Sequence, residues 1–151
     1  MSSVEDLYQE IILEHNKHPR NFGMMDDATV SANGNNPLCG DEVKVLLKVE
    51  DDRILNLKFT GQGCAISKAS ASIMTEALMG KSVEEAKLIS SRVLESLKGK
   101  GGELELETDG DIASLYGVRK FPARVKCATL SWHALEAALS GKGSVSTESE
   151  R

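Results

Sequence analysis

After one opening helix, the periodicity of the chain turns to strand alternation and then to helix, and that order restricts the fold more than any other feature. A helix comes first: Val4, Leu7, Tyr8, Ile11, Ile12 and His15 recur at helical spacing, and Ser2 or Ser3 can cap the start. Lys17-His18-Pro19-Arg20-Asn21-Phe22-Gly23 ends it, because proline disfavours helix in the residue before it. Strands are expected at 28–32, 42–49 and 53–59, the last two joined through Glu50-Asp51-Asp52 as an antiparallel hairpin. Thr60-Gly61-Gln62-Gly63 reads as a loop, after which the pattern becomes helical. The stretch 65–79 is rich in Ala, Ser and Met and closes at Gly80, so it is expected to lie buried against a neighbour. Ser82-Val83-Glu84-Glu85 is a capping box opening a helix to Lys98, and a flexible loop follows at 99–102. A short helix is expected at 109–116, and a last one from Pro122 through Cys127 and Trp132 to Ser140. Strands clustered together and followed by helices imply the α+β class: a small three-stranded antiparallel sheet with helices packed on one face.

At 151 residues the chain has the size of one domain, expected to occupy 1–140, with a Ser-, Glu- and Gly-rich tail at 141–151 expected to be disordered. Eighteen Lys and Arg stand against 23 Asp and Glu, so the net charge of −5 argues against nucleic-acid binding. Only 4% of residues are aromatic, which leaves little material for base stacking. No apolar run approaches the roughly 18 residues of a membrane span, and the acidic start lacks the basic and apolar regions of a signal peptide. The expectation is a cytoplasmic protein that binds neither membrane nor nucleic acid.

Three widely spaced cysteines, Cys39, Cys64 and Cys127, form neither a disulfide framework nor a Cys-x-x-Cys pair. Each sits at a structural punctuation mark. Cys39 falls in the turn-rich stretch Asn33-Gly34-Asn35-Asn36-Pro37-Leu38-Cys39-Gly40-Asp41, Cys64 at a strand-to-helix junction, and Cys127 early in the last helix. A thiol near a helix N-terminus has its thiolate stabilised by free backbone N–H groups, strongly for Cys64 and more weakly for Cys127. Asp41 lies two positions beyond Cys39, so in an extended segment both face one site. Three thiolates and one carboxylate suit four-coordinate zinc, and thiolate-rich sites also suit iron–sulfur clusters. The plain alternative is that the cysteines are small buried hydrophobes.

These residues also carry a resemblance. Leu7-Tyr8, Ile12-Leu13-Glu14-His15 with Pro19-Arg20-Asn21, Asn36-Pro37-Leu38-Cys39-Gly40-Asp41, Gly61-Gln62-Gly63-Cys64-Ala65-Ile66-Ser67 with Ala69-Ser70-Ala71-Ser72, and Phe121-Pro122-Ala123-Arg124-Val125-Lys126-Cys127 occur in order. The chain thereby resembles, from about residue 5 to 140, the U-type iron–sulfur assembly proteins: IscU, SufU and the N-terminal domain of NifU. The resemblance implies the SufE/NifU-like fold, with Cys39, Asp41, Cys64 and Cys127 as metal ligands. Two departures point to the SufU branch. Lys126 stands where IscU-type scaffolds carry His, and 121–126 replaces their Pro-Pro-Val-Lys chaperone-recognition segment. The region 99–121 is also longer than in IscU.

The resemblance thus implies a zinc-dependent sulfurtransferase that accepts persulfide sulfur from a pyridoxal-phosphate cysteine desulfurase of the SufS type and passes it to a downstream iron–sulfur scaffold. Cys39 is the expected acceptor, because its loop is the most exposed and Gly40 admits a partner's sulfur closely. The alternatives are a scaffold on which a labile iron–sulfur cluster is built, and a structural zinc adaptor, which the Asp ligand disfavours. Arg124, on the same helical face as Cys127, either supports thiolate or persulfide charge or pairs with a surface carboxylate. His15, His18 and His133 read as packed or surface residues and Trp132 as core. Leu38, Met24 and Met25 are either docking contacts or ordinary loop packing.

Overall fold

In the computed structural model, residues 3–37, 40–141 and 143–146 are described; Leu38 and Cys39 lie outside them. Helix α1 (Val4–Lys17) opens on a capping box in which Ser3 accepts from the Asp6 N–H and Asp6 reaches back to the Ser3 N–H. Strands β1 (Val30–Asn36), β2 (Asp41–Glu50) and β3 (Arg53–Gln62) form an antiparallel meander. Asp51 and Asp52, both at positive φ (51° and 61°), make the two-residue turn between β2 and β3. Helices α2 (Ala65–Leu78) and α3 (Val83–Leu97), the single turn α4 (Leu106–Asp109), a 3-10 segment (Gly110–Lys120) and α5 (Pro122–Leu139) complete the helical half. The three-stranded antiparallel sheet and the α+β order are those expected. A short β4 (Ser144–Ser146) pairs parallel to β1, giving the order β3-β2-β1-β4. It falls inside the tail expected to lack structure.

The strands run further than local propensity predicts. The first was expected at 28–32 and is found at Val30–Asn36, taking in Asn33-Gly34-Asn35-Asn36, which reads as turn. Likewise β3 continues through Thr60, Gly61 and Gln62, read as loop. In both places the cause is pairing with β2: Gly34 lies opposite Val43, and Gly61 lies opposite Val43 from the other side. Tertiary hydrogen bonding overrides turn propensity there. A side chain at Gly34 would meet Leu130 Cδ1 at 3.1 Å and Ala134 Cβ at 3.3 Å, so glycine is what lets α5 lie directly on β1.

The helices cover one face of the sheet, α5 over β1 and β2 and α2 along β3, with α1 and α3 packed outside them. Val43, Val45, Leu47, Leu57 and Phe59 supply the sheet side of the core. The small residues Ala69, Ser70, Ala71 and Ser72 of α2 are all buried, as expected of a helix that approaches a neighbour closely. Trp132 is fully buried, and its indole N–H donates to Ser70 Oγ at 3.0 Å, while Ser70 donates to the Ala128 carbonyl. His15 is a packed residue: Nδ1 lies 2.7 Å from Ser72 Oγ and Nε2 2.8 Å from Asp111 Oδ2, joining α1, α2 and the 3-10 segment. Among the described residues, no helix is long and apolar enough to cross a membrane.

Candidate metal centre

Three elements converge at one end of the sheet. Asp41 is the first residue of β2, Cys64 is the N-cap of α2, and Cys127 lies in the second turn of α5. One ligand atom from each, a carboxylate oxygen and two sulfurs, lies within 4.8 Å of the others. The convergence follows from the register. Glu42 pairs with Gln62, so the chain leaves β3 beside the start of β2, and Gly63-Cys64 pass over Asp41. A Cβ on Gly63 would stand 2.5 Å from Asp41 Oδ1, so only glycine permits that passage.

Asp41 is 1% exposed, and its Oδ1 accepts the Cys64 backbone N–H at 2.9 Å. Its Oδ2 lies 3.8 Å from Cys64 Sγ, which donates to it. The Cys64 sulfur in turn accepts from the Ser67 N–H at 3.5 Å, the capping contact expected at a strand-to-helix junction. Cys64 is nonetheless exposed, whereas Cys127 is buried.

Cys127 corrects one expectation. Its position past the first turn of α5 puts it beyond the free N–H groups of the helix end, so no lowering of its pKa follows. Burial pushes the Cys127 thiol up instead, and the neighbouring Cys64 and Asp41 push it the same way. A metal that takes Cys127 as a thiolate ligand must therefore expel its proton. Sequence reasoning also missed Asn36. The last residue of β1 is 1% exposed, and its Nδ2 lies 4.0 Å from Cys127 Sγ. In the sequence it stands only as the first residue of Asn36-Pro37-Leu38-Cys39-Gly40-Asp41, without a role of its own; the structure puts it at the third inward-facing position of β1, after Ala32 and Gly34.

Cys39 lies outside the described residues, and its flanks are well placed. Asn36 pairs with Asp41, and the Gly40 N–H donates to the Asn36 carbonyl at 2.8 Å.

Arg124 is exposed, with its guanidinium over the Phe121 ring at 5.3 Å and no carboxylate partner among the described residues. With Ile12, Leu13, Cys64, Ile66 and Cys127 it lines a groove beside the cluster. Of the methionines considered for docking, Met24 is exposed and Met25 is buried; Leu38 lies outside the described residues.

The family model for the NifU-like N-terminal domain matches residues 7–140. The zinc-dependent sulfurtransferase SufU of Bacillus subtilis is 45% identical over 135 residues, covering 89% of this chain and 90% of that protein. The iron–sulfur cluster assembly scaffold protein IscU of Streptococcus pyogenes is 39% identical, covering 92% of this chain and 86% of that protein. Among solved structures, the putative iron–sulfur cluster assembly scaffold protein for the SUF system from Fervidobacterium islandicum superposes with a TM-score of 0.80. It is 36% identical, and the match covers 91% of this chain and 99% of that one.

Proposed function

The chain belongs to the NifU-like N-terminal domain family, and from that premise we propose that it is a zinc-dependent sulfurtransferase serving iron–sulfur cluster assembly in the cytoplasm. The observation that carries the reading is the convergence of Asp41, Cys64 and Cys127 within 4.8 Å, with a third cysteine, Cys39, two positions before Asp41 in the sequence. Cys39, Asp41, Cys64 and Cys127 would hold the ion, a set of three sulfurs and one oxygen that matches zinc's four-coordinate preference. Bound there, zinc keeps the thiols deprotonated at neutral pH and balances their charge.

The sulfur donor is a pyridoxal-phosphate cysteine desulfurase of the SufS type, and a downstream scaffold consumes the product. Cys39 is the acceptor. Its thiolate attacks the outer sulfur of the donor's persulfide; the new S–S bond forms on Cys39, the donor's S–S bond breaks, and the donor cysteine leaves as thiolate. The exchange is redox-neutral and needs a free thiolate, so a ligand supplied by the desulfurase would first take the place of Cys39 on the ion. The other two cysteines suit a holding role. Cys127 is buried in α5, and Cys64 is tied through its N–H to Asp41 and through its sulfur to Ser67. Arg124, exposed at the edge of the groove, is placed to meet the charge of an incoming persulfide.

The test is a turnover measurement. A trace of zinc-loaded protein is mixed with its desulfurase, excess cysteine and a reductant in the absence of iron, and alanine and sulfide are followed. Many turnovers per molecule, lost in Cys39→Ser or on zinc removal, are the expected result. A single loading that stalls until iron is added would make the protein a scaffold, as its IscU-named relatives are.

A further inference from the structure

We propose that Asn36 is a positioning residue for Cys127: its side-chain amide donates to the Cys127 sulfur and keeps that cysteine a metal ligand, leaving exchange to the loop cysteine. The inference rests on the metal-centre reading above. Along β1 the inward positions are Ala32, Gly34 and Asn36, each buried beneath α5. The alternation calls for a small or apolar residue at the third of them. Asn36 is instead a primary amide that is 1% exposed, and its carbonyl Oδ1 has no hydrogen-bond partner among the described residues.

An unpaired buried carbonyl destabilises the fold, so packing does not explain the choice of residue. The one hydrogen-bond partner of the side chain among the described residues is Cys127 Sγ, 4.0 Å from Nδ2. To a neutral thiol that contact is long. A thiolate draws it in, because bonds to charged acceptors are shorter and stronger. A sulfur that accepts such a bond has a lone pair lowered in energy, so it is a weaker nucleophile and stays in place. The backbone carbonyl of the same residue accepts the Gly40 N–H, and Asn36 lies opposite Asp41 in the register. Asn36 thus meets Cys127 through its side chain and Asp41 through the strand register.

Cobalt(II) substitution tests this, because its sulfur-to-metal charge-transfer bands report the thiolate lone pairs directly. The variant is Asn36→Leu, which has nearly the same branched shape and no amide. The expected result is a folded protein whose cobalt charge-transfer bands keep their intensity and move to longer wavelength. Its zinc dissociation constant, measured by chelator competition, should rise about tenfold, as for loss of an outer-shell partner. Unchanged bands and unchanged zinc affinity in the folded variant would overturn the proposal. Asn36→Ala serves as the second variant, and failure of both to fold would assign Asn36 a structural role alone and also overturn it. Wild-type protein that takes up cobalt without thiolate bands would instead defeat the metal-centre reading itself.

Discussion

The Asp41 carboxylate is hydrogen-bonded through Oδ1 to the Cys64 backbone N–H at 2.9 Å, which ties the first residue of β2 to the N-cap of α2. One acidic side chain thus orients a candidate ligand and stands ready as another. That double use sets how the centre responds to change.

Gly63→Ala disturbs it most directly. The added methyl would sit 2.5 Å from Asp41 Oδ1, so the carboxylate must turn away from the Cys64 N–H. Zinc affinity is expected to fall about tenfold or more while the helical circular dichroism stays the same. Wild-type zinc affinity in this variant would show that the carboxylate has room to spare.

Metal uptake is expected to depend on pH in one direction. The Cys127 thiol is raised above its ordinary value of 9.0, chiefly by burial, so it is protonated across the neutral range when no cation is present. Binding as thiolate must expel that proton, so affinity rises with pH and falls as the solution is acidified. Titrating zinc into weakly buffered protein and recording proton release checks this; release of less than one proton per zinc contradicts it.

Replacing Gly34 sets two effects against each other. Gly34→Val improves strand propensity, an effect within about 1 kcal/mol. Its side chain also enters a space where the Cβ alone meets Leu130 at 3.1 Å and Ala134 at 3.3 Å, and overpacking costs about 1–3 kcal/mol. The steric effect wins, and urea unfolding should show a net loss. A gain in stability would mean that α5 moves freely on the sheet.

His15→Ala should destabilise the fold by about 3 kcal/mol through lost packing and two lost hydrogen bonds, to Ser72 and Asp111. His15 belongs to the junction of α1, α2 and the 3-10 segment, so zinc stoichiometry in the folded fraction should be unaffected. Loss of zinc from folded protein would place His15 in the centre and contradict its reading as a packed residue.

Local signals were legible where a residue acts on its own neighbourhood. Ser3 and Ser82 cap their helices, Pro122 starts the last one, and Asp51-Asp52 turn the hairpin, all within a few residues of the groups they satisfy. The candidate ligands were legible for a chemical reason: three sulfurs and a nearby carboxylate restrict what a site can hold, wherever the chain takes them. Contacts between distant segments were not. Asn33 to Asn36 and Thr60 to Gln62 are strand only because β2 lies between them and supplies hydrogen bonds that turn propensity cannot anticipate. The exposure of Cys64, the burial of Cys127 with its raised thiol, and the amide of Asn36 against that sulfur all arise where α5 crosses the end of the sheet. The sequence by itself determined the chemistry available to this protein. The tertiary structure alone decided which of those groups meet and which of them water reaches, because both depend on packing between distant residues such as Asn36 and Cys127, 91 positions apart.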